Sequence, residues 1–427
     1  MSSTINSVLS QVLEKTEPDK EEIEHIREKI KEFFVVFKTN LKKKKIHAEA
    51  FVGGSFAKNT MIKKEHYDVD IFLRFDKKYR GKDISSITKQ ALAGIKNVQE
   101  IHGSRNYFKI RINSSYIEVV PVLKVSNPKE AENITDLSYF HVNYINKKIK
   151  NKKILEEIRL AKAFCHATNT YGAESYISGF SGYGIELLVY HYKSFLNFIK
   201  AMVNVNEKDK LIIDIEKDYK NKMQVLMDIN HAKLLSPIIL IDPTYKQRNV
   251  LSALSQDTFN KFKDACKQFL KKPGADAFEV KKLNLEEVKD RTKKNKNELI
   301  ILKAATEKQE GDIAGSKLVK FYRHLNEEIK EFFDIKDSGF EYGGKKTALY
   351  FFAMKKKPGI IRQGPKTSDK DNVRKFKRNH KTTFNKSGRV YAREKINYSI
   401  KDFLNTWESK NKKLLLDMSI KELRVIG

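Results

Sequence analysis

Between Gly53 and Phe75 the chain reads GGSFAKNTMIKKEHYDVDIFLRF, and the end of this stretch sets two carboxylates inside an apolar run. Few folds tolerate that. In Asp68-Val69-Asp70-Ile71-Phe72-Leu73 the branched and aromatic residues predict a strand, whose period of two puts both aspartates on one face. Like charges side by side repel, so the pair needs either solvent at a sheet edge or a hard cation between its oxygens. Upstream, Gly53-Gly54-Ser55 supplies a tight turn whose amides and hydroxyl can face an anion, with Lys58 and Thr60 close by. Taken alone, the stretch points to a metal-bound triphosphate, and an ordinary solvated strand edge stays open beside that reading.

A third acid follows. Tyr116-Ile117-Glu118-Val119-Val120-Pro121-Val122-Leu123 is an apolar strand interrupted once, and a glutamate there is costly unless it is paired, liganded or exposed at an edge. A sheet that lays this strand against the first brings Glu118 beside Asp70. Charge supplies the next constraint: 84 Lys and Arg oppose 54 Asp and Glu, a net +30, which favours a polyanionic partner, nucleic acid above all. The excess is uneven: from Lys355 to Gly427 there are 21 basic against 7 acidic residues. A generally Lys-rich proteome is the competing explanation. Cys165 and Cys266 are far apart and lack metal-ligand spacing, so no disulfide framework or zinc site is indicated and a reducing cytoplasm is expected. No apolar run approaches a membrane span.

Along the 427 residues, helical spacing marks Ile5–Leu13 and Glu21–Leu41, and strands are expected over Ala48–Phe56, Asp68–Phe75 and Tyr107–Ile112, with a helix over Ile84–Ile95. Ile154–Tyr171 predicts a helix that carries Lys162 between its apolar positions. Gly179–Gly184 leads into a helix expected over Ile185–Ala201. Beyond Pro273 short strands alternate with helices, suiting small α+β units, and Pro358–Lys381 reads as loop. Tyr391, between Arg389 and Arg393, is either an RNA-stacking aromatic or a strand tyrosine packed at an edge.

The glycine-serine turn followed by D-x-D resembles the signature of the nucleotidyltransferase superfamily related to DNA polymerase β. The segments RLAKAF (159–164), YGAE (171–174), SGFSGYGIELL (178–188) and IDPTYKQRNV (241–250), with the weaker late stretches GSKLVK, GP and GRVYA, resemble the successive blocks of the class I, archaeal-type CCA-adding enzymes. That resemblance implies an α+β protein: a polymerase β-like head with a mixed sheet over 1–142, a helical neck over 143–270, and a body over 271–427 with an inserted tail at about 309–357. It implies template-independent addition of CCA to the 3' end of tRNA from CTP and ATP, releasing pyrophosphate.

On the same ground Asp68, Asp70 and Glu118 are the expected catalytic and metal-binding set for two Mg2+ ions. Gly54, Ser55, Lys58 and Lys162 are expected at the triphosphate, Tyr171 near sugar and triphosphate, Arg248 at the incoming base, His141 near the nucleotide, and His102 more weakly at the growing 3' end. A buried structural role for His141 stays open. The expected partner is the acceptor and TΨC arms of tRNA, with a homodimer as an open assembly. Three departures from the family stand out: Glu118 and Lys58 where Asp and Arg are usual, and Gly364-Pro365-Lys366 where a second Pro is usual. Other RNA-directed nucleotidyltransferases, such as a poly(A) polymerase or an oligonucleotide synthase, and a catalytically silent RNA-binding relative are the alternatives.

Overall fold

The computed structural model describes residues 2–103, 105–112, 115–206, 210–281 and 283–427. The chain forms two compact units, Met1–Lys281 and Lys282–Gly427. In the first, five strands make a sheet: β1 (Ala48–Val52), β2 (Tyr67–Phe75), β3 (Val98–Ile101), β4 (Tyr107–Ile112) and β5 (Ser115–Leu123), in spatial order β1-β2-β5-β4-β3. Only β2 and β5 run parallel. One face of the sheet is closed by the helix Lys20–Lys43, whose stripe of Ile26, Ile30, Phe33, Phe37 and Leu41 is buried at helical spacing. The helix Ile84–Ala91, capped by Asp83 accepting from the amides of Ser85 and Ser86, closes the same core. The strand expected over Ala48–Phe56 ends early, at Val52, and the one-turn helix Gly54–Ala57 follows.

The rest of this unit is largely helical. The helix Lys152–Ala167 packs with Gly182–Tyr192, Phe195–Val203 and Gln256–Lys271 around Phe164, whose ring meets Phe195, Phe262, Phe269 and Phe278 at 5.4–5.8 Å between centroids. The single helix expected over Ile185–Ala201 is in fact two. Lys193 turns left-handed (φ 68) and Ser194 starts a new helix by accepting from the Asn197 amide. A short sheet of Leu211–Ile213, Ile238–Asp242 and Tyr245–Asn249 completes the unit.

The second unit holds an antiparallel sheet in the order Phe333–Tyr342, Thr347–Lys356, Glu298–Ala305, Glu422–Val425. The helices Asp312–Phe332 and Ile400–Lys410 cover it around Phe321, Tyr350 and Trp407. The loop expected over Pro358–Lys381 is instead the strand Gly359–Lys366 and the helix Lys370–Asn379. Its low apolar content has a simple cause, since that helix buries no residue at all. Tyr391 lies on the central strand of a three-stranded sheet and stacks on Phe384 at 5.6 Å.

Candidate active site

The parallel pairing of β2 and β5 does the first work of assembly. Asp70 is the direct register partner of Glu118, and Asp68 lies two residues back on the same face of β2. Asp68 keeps 46% of its side-chain surface open and Glu118 only 20%. Burial, then the charges of Glu118 and Asp68, push the Asp70 carboxyl up to about 7 against the opposing pull of Lys58 and Lys109. Burial likewise raises Glu118. Between Asp68 and Glu118 stands the ammonium of Lys109, donating to Asp68 Oδ1 at 2.8 Å and Glu118 Oε1 at 3.0 Å.

The glycine turn fits this pair closely. The Gly53 amide donates to the Asp70 carbonyl at 2.8 Å, which ties the turn to β2. Gly54 has φ +58, and a Cβ there would stand 1.7 Å from Asp70 Oδ2, so glycine is required by conformation and by space together. Ser55 is the next residue, on the one-turn helix Gly54–Ala57.

Behind the turn lies a fully buried ion cluster. Glu186, from the helix Gly182–Tyr192, accepts from Lys58 Nζ at 2.6 Å on one oxygen, and from Lys162 Nζ at 2.8 Å and Thr60 Oγ1 at 2.7 Å on the other. Lys162 also donates to Thr60 Oγ1 and the Thr60 carbonyl, at 2.8 and 3.1 Å. Burial would push the Glu186 carboxyl up, but the two ammoniums override it and hold it at about 2. Burial drives Lys162 down to about 8, with Glu186 opposing.

A second hub is Asp242, wholly buried at the end of its strand. It accepts from Arg248 Nη1 at 2.7 Å, His141 Nε2 at 3.0 Å, Tyr183 Oη at 3.2 Å, and both the amide and hydroxyl of Thr244. His141 stacks on Tyr183 at 4.1 Å, and burial lowers its pKa against the opposing pull of Asp242. Tyr171 stacks on His166 at 3.9 Å, and burial raises its hydroxyl pKa. His102 is exposed and contacts Asn106 Oδ1 through Nδ1 at 3.2 Å.

Asp68, Asp70, Glu118, Gly54, Ser55, Lys58, Lys162, Tyr171, His141 and Arg248 thus all belong to one compact unit. Glu186, Asp242, Tyr183 and Lys109 escaped the sequence-based selection. Glu186 had a signal, a lone acid in the otherwise apolar start of its helix. Asp242 had a weaker one, a carboxylate ending the buried run Ile238–Ile241.

The donor set suits hard divalent cations: three carboxylates, two of them sharing one ammonium and the third raised by burial and by its acidic neighbours. Among the described residues no three Asp, Glu, His or Cys side chains stand in a ligating arrangement around a common point.

Residues 156–279 match the family model described as tRNA nucleotidyltransferase, second domain. A CCA-adding enzyme of Nanoarchaeum equitans is 44% identical over 213 residues, or 49% of this chain and 52% of that enzyme, so the match spans about half the relative's length. A CCA-adding enzyme of Methanocaldococcus jannaschii is 29% identical over 420 residues, covering 94% of this chain and 91% of the relative. The solved structure of a cytoplasmic RNA terminal U-transferase superposes with a TM-score of 0.51 at 12% identity, over 66% of this chain and 100% of that one, a likeness of fold alone. With the carboxylate strands, the glycine turn and the matched helical blocks in place, this chain is similar over most of its length to archaeal CCA-adding enzymes.

Proposed function

We infer that this chain adds C, C and A to the 3' end of tRNA from CTP and ATP, with release of pyrophosphate. The observation that carries the reading is the register pairing of Asp70 with Glu118 beside the Gly53-Gly54-Ser55 turn, in a chain similar over nearly its whole length to a CCA-adding enzyme. Asp68, Asp70 and Glu118 would hold two magnesium ions, which lower the pKa of the attacking 3'-hydroxyl and neutralise charge on the leaving pyrophosphate. Ser55 would face the triphosphate from the turn, and Lys58, held by Glu186 behind it, would lend its positive charge from there. Lys162 works through Thr60 and Glu186, keeping Lys58 and the turn in position.

Arg248 hydrogen-bonds the incoming base, and its ion pair with Asp242 fixes the direction of its planar fork. His141, on the same carboxylate and against the Tyr183 ring, holds the other side of that hub. Tyr171 lines the sugar side. Cations of the unit Lys282–Gly427, dense along the helix Lys370–Asn379, bind phosphates of the acceptor and TΨC arms, a task that needs charge and A-form shape more than base readout.

Purified protein incubated with tRNA lacking CCA and with labelled CTP and ATP tests this. Addition should stop after C-C-A; long A tails, or oligonucleotides made without tRNA, would overturn it. Asp70→Ala should abolish incorporation while tRNA affinity stays close to wild type.

A further inference from the structure

Lys109 has no part in the roles above, yet among the described residues its side chain bonds two of the three carboxylates directly. It sits on β4 as the cross-strand partner of Glu118, and its ammonium also lies 4.3 Å from the centre of the Tyr116 ring. Tyr116 is in turn the register partner of Asp68. The ammonium therefore rests on the open face of the sheet, between the outer two carboxylates. It differs from the other lysines near the site: Lys162 and Lys58 leave 3% and 8% of their side-chain surface open, Lys109 28%.

That difference matters physically. A cluster of three carboxylates is self-repelling, and one ammonium shared by two of them relieves much of the strain. A lysine ammonium is also a compact point charge on a flexible stem, able to leave a solvent-facing site without disturbing the strand that carries it. A divalent ion and an ammonium cannot occupy the same two oxygens, because their like charges would stand about 3 Å apart, where repulsion is strong even at high effective dielectric.

We propose that Lys109 is the resident counter-cation of this carboxylate site: it holds Asp68 and Glu118 when no divalent ion is bound, and it swings off them when one enters. Ion binding is then an exchange of cations rather than the filling of a bare anionic cleft. The proposal rests on the reading of these carboxylates as metal ligands. Lys109 is a positioning residue, acting on the ligands and not on the substrate.

Direct titration of the full-length protein with Mn2+, without nucleotide or tRNA and followed by the electron paramagnetic resonance of free Mn2+, tests the exchange. Lys109→Met should bind Mn2+ about tenfold more tightly than wild type, because no resident charge has to leave. Lys109→Arg should bind equally or more weakly, since a planar fork grips carboxylates harder. Equal or weaker binding by the Met variant would overturn the proposal. Wild-type protein gives an independent reading should that variant not fold: Mn2+ should speed acylation of Lys109 by an amine-reactive reagent, and protection of Lys109 by Mn2+ would overturn the exchange. Asp70→Ala separates the two levels, because unchanged Mn2+ binding in that variant would remove the metal reading itself.

Discussion

Replacing Glu186 with Gln strikes the charge cluster that holds the catalytic turn against the helical half of its unit. The carboxylate is fully buried and serves three donors, from Lys58, Lys162 and Thr60. An amide at that position keeps one acceptor oxygen but turns an N–H group toward an ammonium, so at least one cation loses its partner. Removing one member of a buried ion pair typically costs about 3–5 kcal/mol. Lys162 is already held down to about 8 and can shed its proton, which sets the expected loss near the lower end, about 3 kcal/mol. For a unit of this size about 2–4 °C of Tm follow each kcal/mol, so the midpoint should fall by roughly 6–12 °C. Urea unfolding of wild type, Glu186→Gln, Lys162→Met and the double variant gives the cycle, in which the double variant should be more stable than the sum of the singles by at least about 1 kcal/mol. A Glu186→Gln loss below about 1 kcal/mol, or a cycle additive within about 0.5 kcal/mol, would refute the reasoning.

Other perturbations read different parts of the site. His166, stacked on Tyr171, is held down to about 3 by burial and by the charges of Lys64 and Lys162. The unfolded chain takes up this proton below about pH 6.5 while the folded one resists, so stability should fall as pH drops from about 6.5 toward 3. His166→Phe should remove about 1.6 kcal/mol of the loss measured by urea unfolding between about pH 6.5 and 5; an unchanged slope would exclude His166 as its source. Gly54→Ala should cost roughly 1–3 kcal/mol for its left-handed backbone alone and, by driving a methyl into Asp70, lower nucleotide incorporation at least about a hundredfold; near-normal rates would mean that the turn moves freely. Arg248→Ala should blur the choice between CTP and ATP, read as the ratio of their kcat/KM values, and Asp242→Asn should shift that ratio the same way by loosening the arginine. Unchanged selectivity in both would remove Arg248 as base reader.

The pairing of Asp70 with Glu118 was legible because strand periodicity is strict: two acids at alternate positions share a face, and a lone acid in another apolar strand needs a reason. The buried stripe from Ile26 to Leu41 was legible for the same kind of reason, with a helical period. Asp242 was not legible as a hub, since His141 lies 101 residues away in sequence and Tyr183 59. A carboxylate before proline looks like the start of a turn. Lys109 was hidden by its own strand, where a cation alternating with apolar neighbours looks like an ordinary solvated position. The elements between Gly359 and Asn379 were missed because they bury so little that apolar periodicity is faint.

The departure at Lys58, lysine where the family resemblance leads to arginine, is what the cluster around Glu186 requires. Glu186 gives one oxygen to Lys58 and the other to Lys162 and Thr60. A guanidinium seeks both oxygens of a carboxylate in parallel, and so would compete with Lys162 for the shared one, whereas an ammonium is satisfied by a single oxygen. The same ammonium lies 5.8 Å from the Tyr183 ring centre and partly offsets, by its charge, the rise of the Asp70 carboxyl, while the Tyr183 hydroxyl donates to Asp242. One lysine therefore links the carboxylate strand, the buried cluster and the Asp242 hub. The Tyr183 ring beside the Asp242 hub and the carboxylate of Asp70 thus have Lys58 as a common neighbour.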